Sequence, residues 1–453
     1  MAIINVITET WLAGKPDGHQ SERIVTGWSW DGTNTTLHLK IRDDVYFHDG
    51  TKLTPDLAAQ VLRHTQANAR TEGALGFLSV KSVNVTGPND LDLHLSEPNS
   101  FVLADLAAAT VRKPDNPDIG TGPFKLTRRD QQQAVLSAFP NYYRGRPGLS
   151  QIDVVGYPTQ RRAWAALLRG EIDMLYEVSR DAVDFVSAES TVRTYTFARP
   201  YYIVLGFNVR NPILKNVKVR KAINVALDRA TLVHEGLNDR GRPAVGPIWP
   251  EHWAQPKEMP QVSYKPDEAR RLLDEAGLKA PLNAAGEMPS RFSFTCIVYA
   301  EDSRFERIAV LVQKQLADVG IEMKLRPLKA KELGEAAGKG AFDAAIVEGF
   351  GRSLSFAYDF WHHHDGALLD SGYVAADGPL DRIRKATSEE ETKAAVADLT
   401  RVLHDDPPAA FLAWQTTTRA VSTRFDVVAE PGRDILSSIW QWRAVAAPTQ
   451  ASR

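Results

Sequence analysis

Three stretches of the chain carry side chains able to do chemistry. His48 and Asp49 stand side by side ahead of Gly50. An imidazole next to a carboxylate suits a general base or a metal site. Asp49-Gly50 is also a tight-turn pair, and the two residues read as holders of that turn. The run Ile119-Gly120-Thr121-Gly122-Pro123 has the glycine density of a phosphate loop. However, no Lys-Ser/Thr follows at the required spacing, and Pro123 lacks the N–H such a loop would donate. It reads as a turn into a strand. His362-His363-His364, with Asp359 and Asp365 beside it, offers imidazoles suited to Ni, Cu or Zn. Three consecutive residues of a regular strand or helix cannot all converge on one ion, so no metal ligand is assigned. Cys296 is the single cysteine. It excludes an internal disulfide and any multi-cysteine metal site, and its apolar surroundings make it a buried thiol. No G-x-S-x-G, H-E-x-x-H, P-loop or Rossmann fingerprint occurs. No catalytic residue and no cofactor is assigned, and the chain is expected not to be an enzyme.

The bulk properties bound the rest. A chain of 453 residues implies two or three domains. With 43% hydrophobic and 24% charged residues the composition is that of a globular protein. A net charge of -2 lacks the basic surplus of a nucleic-acid binder. No apolar run approaches the roughly 20 residues of a membrane span. Met1-Ala-Ile-Ile-Asn shows no basic n-region, no apolar h-region and no cleavage site. A leader already removed, a late start and a chain that stays inside the cell all fit that beginning.

The elements that would position these residues follow from periodicity. Leu37, Leu39 and Ile41 alternate with polar residues, as in a half-buried strand, and so does Asp90–Ser96. Thr54 caps a helix that begins at Pro55, with Leu57, Val61 and Leu62 inward. Thr159 caps a helix from Gln160 to Arg169, ended by Gly170. A strand ends at Asn208, and a helix from about Lys218 to Leu227 buries Val219, Ala222, Ile223 and Ala226. Further helices run from Pro266 to Gly277 and from Arg304 to Val319, with Gly320 as the stop. Strands are expected over 292–300, 321–325, 342–347 and 411–414. Ser388 and Glu391 form a capping box for a helix to His404. The β-α-β-β order predicts an α/β lobe with a largely parallel sheet.

Several motifs occur in a fixed order. Ile41-Arg42 through Val45, Phe47-His48-Asp49-Gly50 and Leu53-Thr54 is similar to L-R-x-x-V-x-F-H-D-G-x-x-L-T. Ile119–Leu126 is similar to GTGPF-x-L, Asn141–Pro147 to N-x-x-Y-x-G-x-P, and Gly170–Asp173 to G-E-I-D. The run Leu205–Pro250 carries N-x-x-x-x-P, V-R-K-A-I-x-x-A-L-D and G-P-I-x-P. Tyr264–Gly277 is similar to Y-x-P-x-x-A-x-x-L-L-x-E-A-G. Together these motifs resemble the family 5 extracellular solute-binding proteins, the peptide- and nickel-type ligand receptors of ABC importers. The resemblance runs from about Thr8 to Trp442. Thr8–Leu12 matches only the second half of the family's opening, so its first strand is expected to be missing.

The resemblance implies an α/β, two-lobed periplasmic-binding-protein-like fold (type II, cluster C) with an extra subdomain. Lobe one would be residues 1–247 plus 419–453, with the subdomain at about 28–149, and lobe two would be 248–418. The implied function is extracytoplasmic capture of a small ligand between the lobes, with delivery to the permease subunits of an ABC transporter. It implies a monomer, peripheral to the membrane through the transporter and located in the periplasm or outside the cell. A metal-chelate receptor of the same family and a cytoplasmic ligand-sensing module are the alternatives.

Such receptors need aromatic walls and a matched charge. Trp249 and Trp253 follow the expected hinge, and Trp414 precedes the return crossing. The stretch Phe350–His364 resembles the family's W-x-x-D-x-x-D-P loop, in which peptide-binding members place an aspartate against the ligand's α-ammonium. Here Gly351-Arg352-Ser353 stands in that slot. Arg352 in the cleft would favour a carboxylate or phosphate. Phe350, Ser353, Tyr358 and Trp361 complete the expected ligand residues.

Overall fold

The computed structural model describes residues 3–179, 182–280, 290–364 and 367–445. The chain forms two compact units. Unit 1 holds residues 1–198 and 416–453, and unit 2 holds residues 199–415.

In unit 1, strands Val25–Trp30, Thr36–Ile41, Asp90–Leu95 and Val80–Val85 form a four-stranded sheet in that order. Leu37, Leu39 and Ile41 point inward, as the alternation predicts. Helix Pro55–Ala67 packs Ala58, Ala59, Val61 and Leu62 against the same core. Its cap is the expected one: Thr54 Oγ1 accepts from Leu57 N at 3.3 Å. Strands Phe124–Arg129, Gln133–Ala138 and Gln151–Val155 make a second, antiparallel sheet. Helix Gln160–Leu168 is capped by Thr159 and followed by Gly170 at φ 71°.

Unit 2 is built on β1 (Val192–Phe207), α1 (Val217–Val225), α2 (Pro266–Glu275), β2 (Phe292–Tyr299), α3 (Ser303–Ala317), β3 (Ile321–Leu328), β4 (Ala344–Phe350), α4 (Leu354–Trp361), α5 (Glu389–Asp405) and β5 (Ala409–Ser422). The strand order is β5-β1-β4-β2-β3. β2 runs parallel to both β3 and β4, whereas β1 runs antiparallel to β4. The sheet is therefore mixed, not largely parallel. β2, α3 and β3 form the strand-helix-strand crossover that a parallel neighbour needs. Residues 409–415 of β5 are all buried, as befits a strand covered on both faces.

β1 and β5 each carry residues of both units, and the chain crosses within them, at 198–199 and at 415–416. This differs from the expected lobe boundary at Pro247–Ile248. β1 continues unbroken through the crossing and pairs Tyr201–Phe207 with Phe350–Ala344 of β4. The run Leu205–Pro250 consequently belongs to unit 2. Its helix α1 buries Val219, Ala222, Ile223 and Ala226 in the unit 2 core, beside Leu205, Phe207, Ile308 and Val312.

Two signature arginines brace that core. Arg229 donates through Nε to Phe411 O (2.6 Å) and through Nη2 to Asn224 Oδ1 (2.9 Å). Arg220 donates to Pro407 O (2.8 Å) and Leu214 O (2.6 Å) and pairs with Asp406. Asn208 Nδ2 donates to Gly340 O and Phe342 O, each at 2.9 Å. These side chains satisfy buried carbonyls that would otherwise be stranded.

The Phe350–His364 stretch, expected as a loop, holds the helix α4. Its apolar residues Leu354, Ala357 and Trp361 fall at helical spacing and are buried. The expected capping box at Ser388 is shifted by one residue. Ser388 Oγ accepts from Glu391 N, but the Glu391 carboxylate takes its hydrogen bond from Thr387 N (2.8 Å).

Candidate ligand site at the end of a unit 2 strand

The end of β4 is fixed by two glycines. A Cβ on Gly349 would lie 2.2 Å from the Tyr202 ring, and one on Gly351 would lie 2.2 Å from Trp414 and 2.6 Å from Pro247 O. Both positions need glycine because the backbone touches a ring. Gly351 N donates to Pro200 O, and Gly351 O accepts from Trp249 N, each at 2.8 Å. Three segments are thus pinned at the residue before Arg352. Ser353 then caps α4, its Oγ accepting from Phe356 N at 3.3 Å, so this hydroxyl is committed to the helix.

The expected aromatic residues largely converge, though on one another. Trp249 meets Trp414 edge-on at 5.1 Å, and Trp414 meets Tyr202 at 5.2 Å. Trp361 lies 5.3 Å from Phe411 and donates through Nε1 to Tyr202 Oη at 3.0 Å. Trp249, Trp361 and Trp414 are buried, and their faces are taken up by neighbouring rings. Phe350, half-buried, joins the cluster through Tyr201 (5.0 Å) and Phe356 (5.9 Å). Trp253 stands apart, half-buried and stacked on His252, with Lys393 Nζ 5.5 Å from its ring.

The charges around Arg352 come from the Leu205–Pro250 run and the residue after it. Arg242 grips Glu251 bidentately at 2.6 and 2.5 Å, and its guanidinium lies 4.6 Å from the Trp249 ring. The Arg242 hydrogen bonds hold the Glu251 carboxyl below the usual carboxylate range, and the Arg352 charge adds to the effect. Arg352 is half-buried and within electrostatic reach of Glu251. This corner can present guanidinium charge to an anion beside an aromatic floor.

Tyr358 belongs to a different group. His362 and His364 stack on its ring at 4.3 and 5.6 Å, and its hydroxyl donates to Asp381 at 3.3 Å. Burial, with the Asp381 charge, pushes its phenol up to about 12. His362 Nε2 lies 3.6 Å from Asp381, and His364 Nε2 lies 3.5 Å from Asp359. Among the described residues no three His, Cys, Asp or Glu side chains are placed to hold a metal ion. Asp365 lies outside the described residues.

A polar chain that the sequence did not announce lies at the unit 2 ends of the crossing strands. Arg304 donates to Gln415 Oε1 (2.7 Å), and Gln415 donates to Glu348 Oε1 (2.5 Å). Arg199 lies 3.7 Å from Glu348. No local spacing joins residues 199, 304, 348 and 415, so periodicity alone cannot find them. The Gly349-x-Gly351 alternation was the one local signal at this strand end.

In unit 1 the His48–Asp49 pair holds its turn. Asp49 accepts from Thr51 N (3.0 Å) and pairs with Lys113 (2.5 Å). His48 Nδ1 accepts from Gly120 N and Nε2 donates to Gly122 O, so the GTG run and the HDG turn are tied together. Cys296 is buried, and burial pushes its thiol up.

No helix among the described residues is long and apolar enough to cross a membrane. Residues 21–367 match the model of the bacterial extracellular solute-binding proteins, family 5. The oligopeptide-binding protein AppA of Bacillus subtilis (strain 168) is 27% identical over 443 residues, covering 90% of this chain and 80% of that protein. The structure of NikA from Brucella suis in complex with Fe(III)-EDTA superposes with a TM-score of 0.87 at 21% identity, covering 98% of this chain and 95% of that one. NikZ from Campylobacter jejuni in complex with Ni(L-His) gives a TM-score of 0.83 at 20% identity, covering 97% and 94%. The fold is that of the periplasmic binding proteins, and the chain belongs to the bacterial extracellular solute-binding proteins of family 5 and is a solute-binding receptor.

Proposed function

We propose that this receptor takes a ligand carrying a carboxylate or phosphate and passes it to an ABC importer. It acts as a monomeric, non-catalytic component on the extracytoplasmic side. The observation that carries the reading is Arg352, which follows the pinned Gly351 at the end of β4. Peptide-binding members of the family place an aspartate in that slot for the ligand's α-ammonium. A guanidinium there reverses the preference in charge and pairs bidentately with planar oxyanions. Arg242, also close to Glu251, adds positive charge to the same corner. A metal chelate is the second reading, supported by the nickel- and iron-chelate complexes of NikZ and NikA. A chelate with exposed carboxylates would meet the same arginine.

A thermal-shift screen of opine-like acids, phosphorylated sugars, free peptides and metal chelates should single out an anionic solute, since binding to the native state raises the melting temperature. Arg352→Ala should then weaken that solute by about 10- to 100-fold in calorimetry, the worth of a charge-assisted pair. Its melting temperature without ligand should barely change. Stabilisation by cationic solutes alone, or full affinity in Arg352→Ala, would remove the proposal.

A further inference from the structure

We infer that unit 2 holds a second small-molecule site, remote in sequence from Arg352 and independent of the reading above, that takes a compact carboxylic acid with an apolar body. Three helices each turn one face towards a common cavity of about 300 Å³. α1 supplies Lys221, Asn224 and Val225, α2 supplies Glu268 and Leu272, and α5 supplies Thr400, Leu403 and His404. The α1 and α5 sets follow the i, i+3, i+4 spacing of a single helical face, and the α2 pair stands at i, i+4. Ala409 and Phe411 of β5, Val245, Pro407 and the Pro260–Val262 segment complete the lining. A volume of this size is at the lower end of small-ligand pockets, and apolar walls with a few placed polar groups are what such pockets show.

The chemistry follows from which polar groups are already engaged. Asn224 spends its amide on Arg220 O and Ala409 O, each at 3.1 Å, and its carbonyl on Arg229. Glu268 is gripped by Arg271 at 2.6 and 3.1 Å. Thr400 Oγ1 donates to Val396 O, and His404 Nδ1 faces Asp405 at 3.2 Å. Lys221 Nζ makes no hydrogen bond and no ion pair among the described residues. The Glu268 carboxylate on the same wall is matched by Arg271, so the unmatched Lys221 ammonium calls for an anion. The Phe411 ring and the Leu272 and Leu403 side chains call for an apolar body no larger than one ring and a short chain.

The probe is 4-phenylbutyrate, with 4-phenyl-1-butanol as its uncharged counterpart, titrated into the full chain by calorimetry and ligand-observed NMR at low salt. Saturable one-to-one binding of the acid, tighter than that of the alcohol, is expected. Lys221→Met should weaken the acid about tenfold and erase its advantage over the alcohol. Thr400→Trp, which fills the cavity, should abolish both. Arg352→Ala should bind the acid as the parent does, which separates this site from the proposed receptor function. The inference is overturned by no saturable binding up to about 5 mM. It is equally overturned by a retained preference for the acid in Lys221→Met, or by loss of binding in Arg352→Ala.

Discussion

The arginines of the Leu205–Pro250 run and the arginine at the end of β4 carry the same guanidinium and are used in different ways. Arg220 and Arg229 are buried and directed at carbonyls of Asn224 in α1, of Phe411 in β5 and of Pro407 just before it. Burial pulls the Arg229 guanidinium down to about 10, still charged at neutral pH. Arg352 is only half-buried and lies within electrostatic reach of a carboxylate that Arg242 already holds. The first pair is spent on the fold; the third stands at the end of β4, where the proposed function puts the solute. The lesson is that a charged signature residue need not be a ligand residue. The densest family motif in this chain is scaffold, and the departure from the family pattern is the place to look for specificity.

The comparison breaks most visibly at Arg229. Arg229→Met keeps most of the stem but leaves Phe411 O and Asn224 without their donors. Urea unfolding should show a loss of about 3 kcal/mol or more, with the affinity of the folded protein for its solute unchanged. A loss under about 1 kcal/mol would mean that the brace is not one.

Gly351→Ala tests the other region with a smaller expected cost. The added methyl meets Trp414 and Pro247 O well inside contact distance, and overpacking of this kind costs about 1–3 kcal/mol. Because Arg352 is the next residue, solute affinity should fall along with stability, unlike in Arg229→Met. Retained affinity in Gly351→Ala would show that the pinned glycine does not set the position of Arg352.

Legibility in the sequence divides along the same line. Caps and stops were readable because their signals are local: Thr54, Thr159 and Ser388 each accept from an N–H three residues on, and Gly170, Gly277 and Gly320 take positive φ. The inward face of α1 was readable because its period is regular. Trp249, Trp361 and Trp414 could not be told from open walls, since their burial depends on one another and on Tyr202 and Phe411 arriving from distant strands. α4 was missed because the stretch resembled a family loop, although Leu354, Ala357 and Trp361 carry a helical period. The unit boundary at Arg199 was hidden because β1 crosses it without a break in pattern.

Glu251 links the two regions, since it is held by Arg242 and feels the Arg352 charge. Its carboxyl is lowered in the folded state, so its contribution to stability is fully present above the unfolded value of about 4.5 and is lost as the pH falls through the lowered one. Glu251→Gln should therefore lower the neutral plateau of the melting-temperature profile slightly, because the pair is largely solvated, with the difference from the parent vanishing as the pH falls below about 4.5, so that the acid limb is shallower. The effect on binding should be opposite in sign to that of Arg352→Ala. Removing a negative charge beside two guanidinium groups should tighten an anionic solute by roughly two- to fivefold at low salt, and the gain should shrink as salt screens it. An affinity that drops in Glu251→Gln would mean that this carboxylate orients Arg352 for the solute, and does not compete with the solute for it.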